Sequence, residues 1–161
     1  MPKQNESTMK WKVDITQLKA GMVEARRSIT LANAEFKSAT AGLGKWQNSI
    51  TGVEAKLKQL NSTLPQQKAI LERLQKQYNL TAENMGENSA EAQRLKIQIE
   101  NQKAAIAKTE AGLSRYSAQL KQMRAEEEKA NSSLGQLNKT INAQEKELNE
   151  LKTAYANAIL Q

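Results

Sequence analysis

The chain contains no cysteine and no histidine among its 161 residues. That excludes disulfides, thiolate nucleophiles, Ser-His-Asp and Cys-His arrangements, and histidine-ligated metals. Aromatic residues reach only 4 %, with a single Phe, which is thin for a globular core of this length. No apolar run approaches the length of a membrane span. The opening residues, MPKQNESTMKWK, lack the apolar centre of a signal peptide, so synthesis in a cytoplasm without classical export is expected. A phosphate-binding loop is missing too: Gly42 and Gly44 precede no G-K-[ST] and follow no strand. Glu126, Glu127 and Glu128 form an acidic run without the cleft that paired catalytic carboxylates need. The expectation is a non-enzyme with no catalytic residue, cofactor, metal or small-molecule substrate.

What the chain does have is a heptad register that runs almost its whole length. Steps of seven from Ile15 meet Met22, Ile29, Phe36, Leu43, Ile50, Leu57, Leu64, Leu71, Tyr78, Met85, Ala92, Ile99, Ile106, Leu113 and Leu120. The same steps continue through Glu127, Leu134, Ile141, Leu148 and Tyr155, and only Glu127 is charged. Such a stripe predicts long α-helices that bury a narrow seam. The partner d positions are weaker, with Ala25, Ala32, Ala39, Gln67, Thr81, Asn88, Gln102, Thr109 and Gln144 among them. Small and polar layers lower stability and can set register or oligomer state. The fold class expected is all-α, as a coiled coil or helical hairpin, and self-association of the helices is expected.

Lys and Arg total 24 against 17 Asp and Glu, a net charge of +7. The excess favours an acidic partner in principle. The basic residues are interleaved with acids and form no run with aromatics, so specific nucleic-acid binding is not expected.

Punctuation divides the stripe. Residues 1–8 are polar and expected to be disordered. Met9 to Ile15 alternates apolar and polar residues and suggests a short strand with Trp11, Val13 and Ile15 on one face. A strand and helix segment then occupies 9–61, with a helix from Asp14 or Thr16 that weakens or ends at Gly42 and Gly44. Pro65, preceded by the potential caps Ser62 and Thr63, predicts a break and a second helix over 62–85. Gly86 and Asn88 mark the clearest turn, with Asn88 and Glu91 set for a capping box. One long helix follows in 86–161, with Gly112 and Gly135 as soft points. The turn chemistry favours folding back at Gly86, whereas the unbroken phase favours end-to-end stacking. Phe36, Leu43, Trp46, Ile50, Val53, Leu57 and Leu60 are the candidate packing and partner-contact residues, with Trp46 as the aromatic anchor.

Asn33 to Gly42 (NAEFKSATAG), the spaced Trp46, Gly52 to Asn61 (GVEAKLKQLN) and Gly86 to Ser89 (GENS) resemble the N-terminal region of phage tail tape measure proteins. The similarity spans about Lys10 to Leu120, and the AEFKSATAG stretch, Trp46 and GENS are its most specific parts. Members of that family are generally many times longer than this chain. The resemblance implies a virion structural protein packed in the tail tube lumen and assembled in the host bacterial cytoplasm. It also implies a role in setting tail length, with tail tube, tail tip and tail chaperone proteins as partners. The rival expectations are a cytoplasmic coiled-coil scaffold or adaptor and a basic nucleic-acid-binding helical protein.

Overall fold

The computed structural model describes residues 2–161, with side-chain surroundings from residue 6 onward. The protein is all-α. Helix α1 spans Pro2–Thr40, α2 spans Ile50–Met85 and α3 spans Ala90–Ile159, with one 3₁₀ turn at Trp46–Asn48. The chain divides into two compact units, residues 1–120 and 121–161.

In the first unit the three helices share one core. Met22 and Ala25 of α1, Ile70 and Leu74 of α2, and Leu95 and Ile99 of α3 are buried together, with Ile29, Leu71 and Tyr78 packed around them. Pairings between helices run in reverse order along the chain. Asn33 of α1 accepts from Gln59 of α2, and Gly21 lies beside Arg73. Gln102 of α3 donates to the Gln67 carbonyl at 3.0 Å, and Leu60, earlier on α2, lies beside Gly112, later on α3. Helix α2 is therefore antiparallel to both neighbours. Buried Ala25 and Ala32 on α1, with Gly21, let the α1 and α2 backbones come close.

The heptad stripe is the buried face in this unit, with one widening. Helices α1 and α3 bury a and d positions, for example Met22, Ala25, Ala32, Ala92, Leu95, Ile99, Ile106 and Thr109. Helix α2 also buries Thr63, Ile70 and Gln77, one position before each a residue. A middle helix flanked on two sides needs a broader face than a two-stranded seam. That face carries polar groups: the side-chain oxygens Thr63 Oγ1 and Gln67 Oε1 are buried without a hydrogen-bond partner.

Several local expectations are corrected. Residues 9–15 form no strand, since they lie inside α1. Trp11, Ile15 and Leu18 are half-buried at helical spacing, while Val13 is exposed. A lone strand has no edge to pair with, whereas a helix satisfies its own backbone. The residues expected to be disordered are helical from Pro2 onward, and Met1 lies outside the described residues. Asp14 and Thr16 are internal to α1 and cap nothing; the Thr16 hydroxyl donates back to the Lys12 carbonyl.

Pro65 does not break the chain into two helices, because α2 runs through it. Its ring sits on the exposed side, and Thr63, Ile70 and Leu74 are buried on either side of it. Packing of the flanking turns offsets the roughly 3 kcal/mol that an internal proline costs. The cap of α2 is Ser49, whose hydroxyl accepts from the Gly52 N–H at 2.9 Å, not Ser62 or Thr63. The cap of α3 is likewise Ser89, accepting from the Ala92 N–H at 3.2 Å, and Asn88 is an exposed turn residue. Gly86 does end α2, with φ 92° and ψ 148°, a backbone state that glycine alone adopts readily.

In the second unit the helix continues alone. Every residue from Arg124 to Gln161 is exposed.

Candidate functional site

The most elaborate side-chain cluster lies where α1 gives way to α2. Thr40 ends α1, and the chain turns through Gly44, whose φ of 60° suits glycine. The 3₁₀ turn then presents Trp46. Its carbonyl accepts from the Ser49 N–H at 3.1 Å and from the Ser49 hydroxyl at 3.2 Å. Ser49 thus closes the turn and caps α2 with the same oxygen. Gly52 completes the corner: a Cβ there would stand 2.2 Å from the Trp46 carbonyl oxygen.

The Trp46 indole meets the Phe36 ring edge to face, with centres 5.1 Å apart and planes at 89°. Tyr116 of α3 also packs against it, with ring centres 5.7 Å apart and planes at 52°. Lys56 of α2 places Nζ 4.8 Å from the Phe36 ring centre and 5.9 Å from that of Trp46. The Arg115 guanidinium lies over Tyr116 at 4.6 Å. Lys56 also donates to Gln59 at 2.6 Å, and Gln119 donates to the Gln47 carbonyl at 2.8 Å. Three helices and the turn are tied together here by ring contacts and cations over π faces.

Burial first, and then the neighbouring Arg115, push the Lys56 ammonium below its ordinary value of 10.5. The folded chain therefore holds this proton less firmly than the unfolded chain does. The resulting destabilisation is full below the folded pKa and fades as pH rises through it toward 10.5. The thermal midpoint is expected to gain a component that rises with pH over that window, and Lys56→Met should remove it. Melts of both proteins across alkaline pH check this, and parallel curves would refute it.

Beside the cluster, Lys56, Lys108 and Arg115 line an open groove of about 430 Å³ with Leu60, Gly112 and Tyr116. Its lining offers positive charge and apolar surface, which suits contact with a partner. No group of three His, Cys, Asp or Glu residues among the described residues is placed to hold a metal.

The structure brings only some of the expected contact residues together. Phe36 and Trp46 touch. Val53 is fully buried one turn into α2. Ile50, Leu57 and Leu60 are half-buried on α2, and Leu60 reaches Gly112 of α3. Leu43 is half-buried in the connecting turn. Of the expected hinge positions, Gly42, Gly44, Gly86 and Asn88 lie in turns, and Pro65 does not. Lys56, Arg115 and Tyr116 were not among the expected contacts. Tyr116 occupies a d position, which marks it as seam-facing, but its pairing with Trp46 requires α3 to fold back along α2. No family model, no curated protein and no solved structure matches the chain.

Proposed function

We propose that the chain is a non-enzymatic structural protein of a long-tailed phage or prophage, acting as the N-terminal region of a tail tape measure protein. Its place would be the tail, assembled in the host bacterial cytoplasm, with tail tube, tail tip and tail chaperone proteins as partners. The resemblance over about Lys10 to Leu120 carries this reading. One observation supports it: the residues most specific to the resemblance lie at the two ends of the same bundle. Phe36 and Trp46 form the aromatic corner, and Gly86 to Ser89 form the opposite turn. In this reading the bundle is an assembly module and the following helix a spacer.

The test is an in-frame deletion of residues 127–154 from the gene that encodes this chain. It removes four heptads, keeps phase and spares the buried Ile99 and Ile106 of the bundle. At ~1.5 Å per residue, tails should shorten by about 42 Å. Normal tails of unchanged length would sink the length-setting role. Absence of the protein from purified particles would sink the virion assignment and favour a cytoplasmic scaffold, for which the exposed helix would be an equally good platform.

A further inference from the structure

The heptad register does not stop where the bundle does. Leu134, Leu137, Ile141, Leu148, Leu151 and Tyr155 continue it, and each is between 41 % and 71 % exposed. Within the bundle the same positions are the core; here nothing described covers them. Isolated helices gain little stability without an apolar face to pack. Apolar a and d layers sustained over three to four heptads, with charges beside them, are the pattern of a coiled coil.

We propose that residues 134–158 pair with the same segment of a second copy of this chain, as a parallel, in-register two-stranded coiled coil. The argument rests on this seam and not on the tail reading. Charge complementarity selects the partner. In the running register Glu147 occupies g and Lys152 the following e. In a parallel pair these two face each other across the seam, once on each side. Gln144, the polar d residue between the Ile141 and Leu148 layers, meets its own copy only in register, where amide can bond amide. Glu127 at an a position would meet its own charge, which ends the seam on the bundle side. An antiparallel pair that sets Leu148 against Leu151 would place Glu145, not Glu147, opposite Lys152.

The experiment uses the whole 161-residue chain in three steps. Sedimentation equilibrium at micromolar concentrations should give the mass of two copies. A mass of one copy, or of three or more, overturns the proposal; the first result would leave the seam to another partner. Because the chain has no cysteine, Gln144→Cys supplies a clean reporter. Under mild oxidation it should form a reducible dimer, and failure to cross-link rejects the parallel register. Lys152→Glu should weaken association by about five- to tenfold. Adding Glu147→Lys should restore it, whereas rescue by Glu145→Lys instead would establish the antiparallel pair and overturn the proposal. Circular dichroism of each variant separates lost pairing from lost folding of the bundle.

Discussion

Leu95→Ala is expected to lower the unfolding free energy of the bundle by about 3 kcal/mol. Leu95 is 2 % exposed and sits among Met22, Ala25, Ile70, Leu74 and Ile99, so all three helices contribute to its surroundings. Two effects add. The removed methyl groups lose their transfer free energy, and the space they leave cannot be refilled while three helices hold its walls. Small neighbours cannot close the gap, since Ala25 has only a methyl group. A domain of this kind holds only about 5–15 kcal/mol in total, so the change is a large fraction of it. Urea unfolding followed by tryptophan fluorescence measures the loss. Leu31→Ala is the control: Leu31 is also on a helix but 60 % exposed, and its truncation should cost under about 0.5 kcal/mol. Equal losses at the two positions would contradict the three-helix core.

Gly52→Ala is expected to destabilise by about 2 kcal/mol, although alanine is the better helix former. Two opposing terms decide the sign. Replacing a helical glycine gains up to about 1 kcal/mol of helix propensity, and less in a first turn, where Gly52 lies. Against that, the new Cβ would lie 2.2 Å from the Trp46 carbonyl oxygen and 2.8 Å from the Ser49 hydroxyl. The first contact is backbone and cannot swing aside. Relief requires the 3₁₀ turn to move, which weakens the Ser49 cap and shifts Trp46 off Phe36 and Tyr116. Gly135→Ala is the matched opposite, because nothing beyond its own helix backbone lies within 4 Å of the Cβ it would add. It should stabilise its helix by about 1 kcal/mol. Thermal melts by circular dichroism, with tryptophan fluorescence reporting on the corner, distinguish the two. A stabilised Gly52→Ala protein with an unchanged tryptophan spectrum would show that the turn accepts the methyl group.

The contrast between these two glycines also separates what was legible in the sequence from what was not. Both are helix glycines, Gly52 in the first turn of α2 and Gly135 well inside α3, and helix propensity favours alanine at either. Gly52 differs because the chain returns on itself at Trp46, a fact of three-dimensional proximity. Pro65 makes the same point. Local chemistry reads it as a break, yet α2 continues because apolar burial on either side outweighs one missing hydrogen bond. The N-terminal alternation at Trp11, Val13 and Ile15 reads as a strand, yet Trp11, Ile15 and Leu18 are half-buried at helical spacing inside α1.

The sequence by itself determined the all-α class, the long heptad-phased helices, the turns at Gly44 and Gly86, and the seam positions. These follow from period and from glycine's backbone freedom, which are local properties. Only the tertiary structure decided that α2 is the middle helix with a widened face, that Ser49 and Ser89 rather than neighbouring candidates are the caps, and that Trp46 meets Tyr116. It also decided where the seam is covered and where it is not, since the same heptad spells core at Leu95 and open surface at Leu137. The difference is the presence of neighbouring helices, and a stripe on one helix carries no record of which segments will lie beside it.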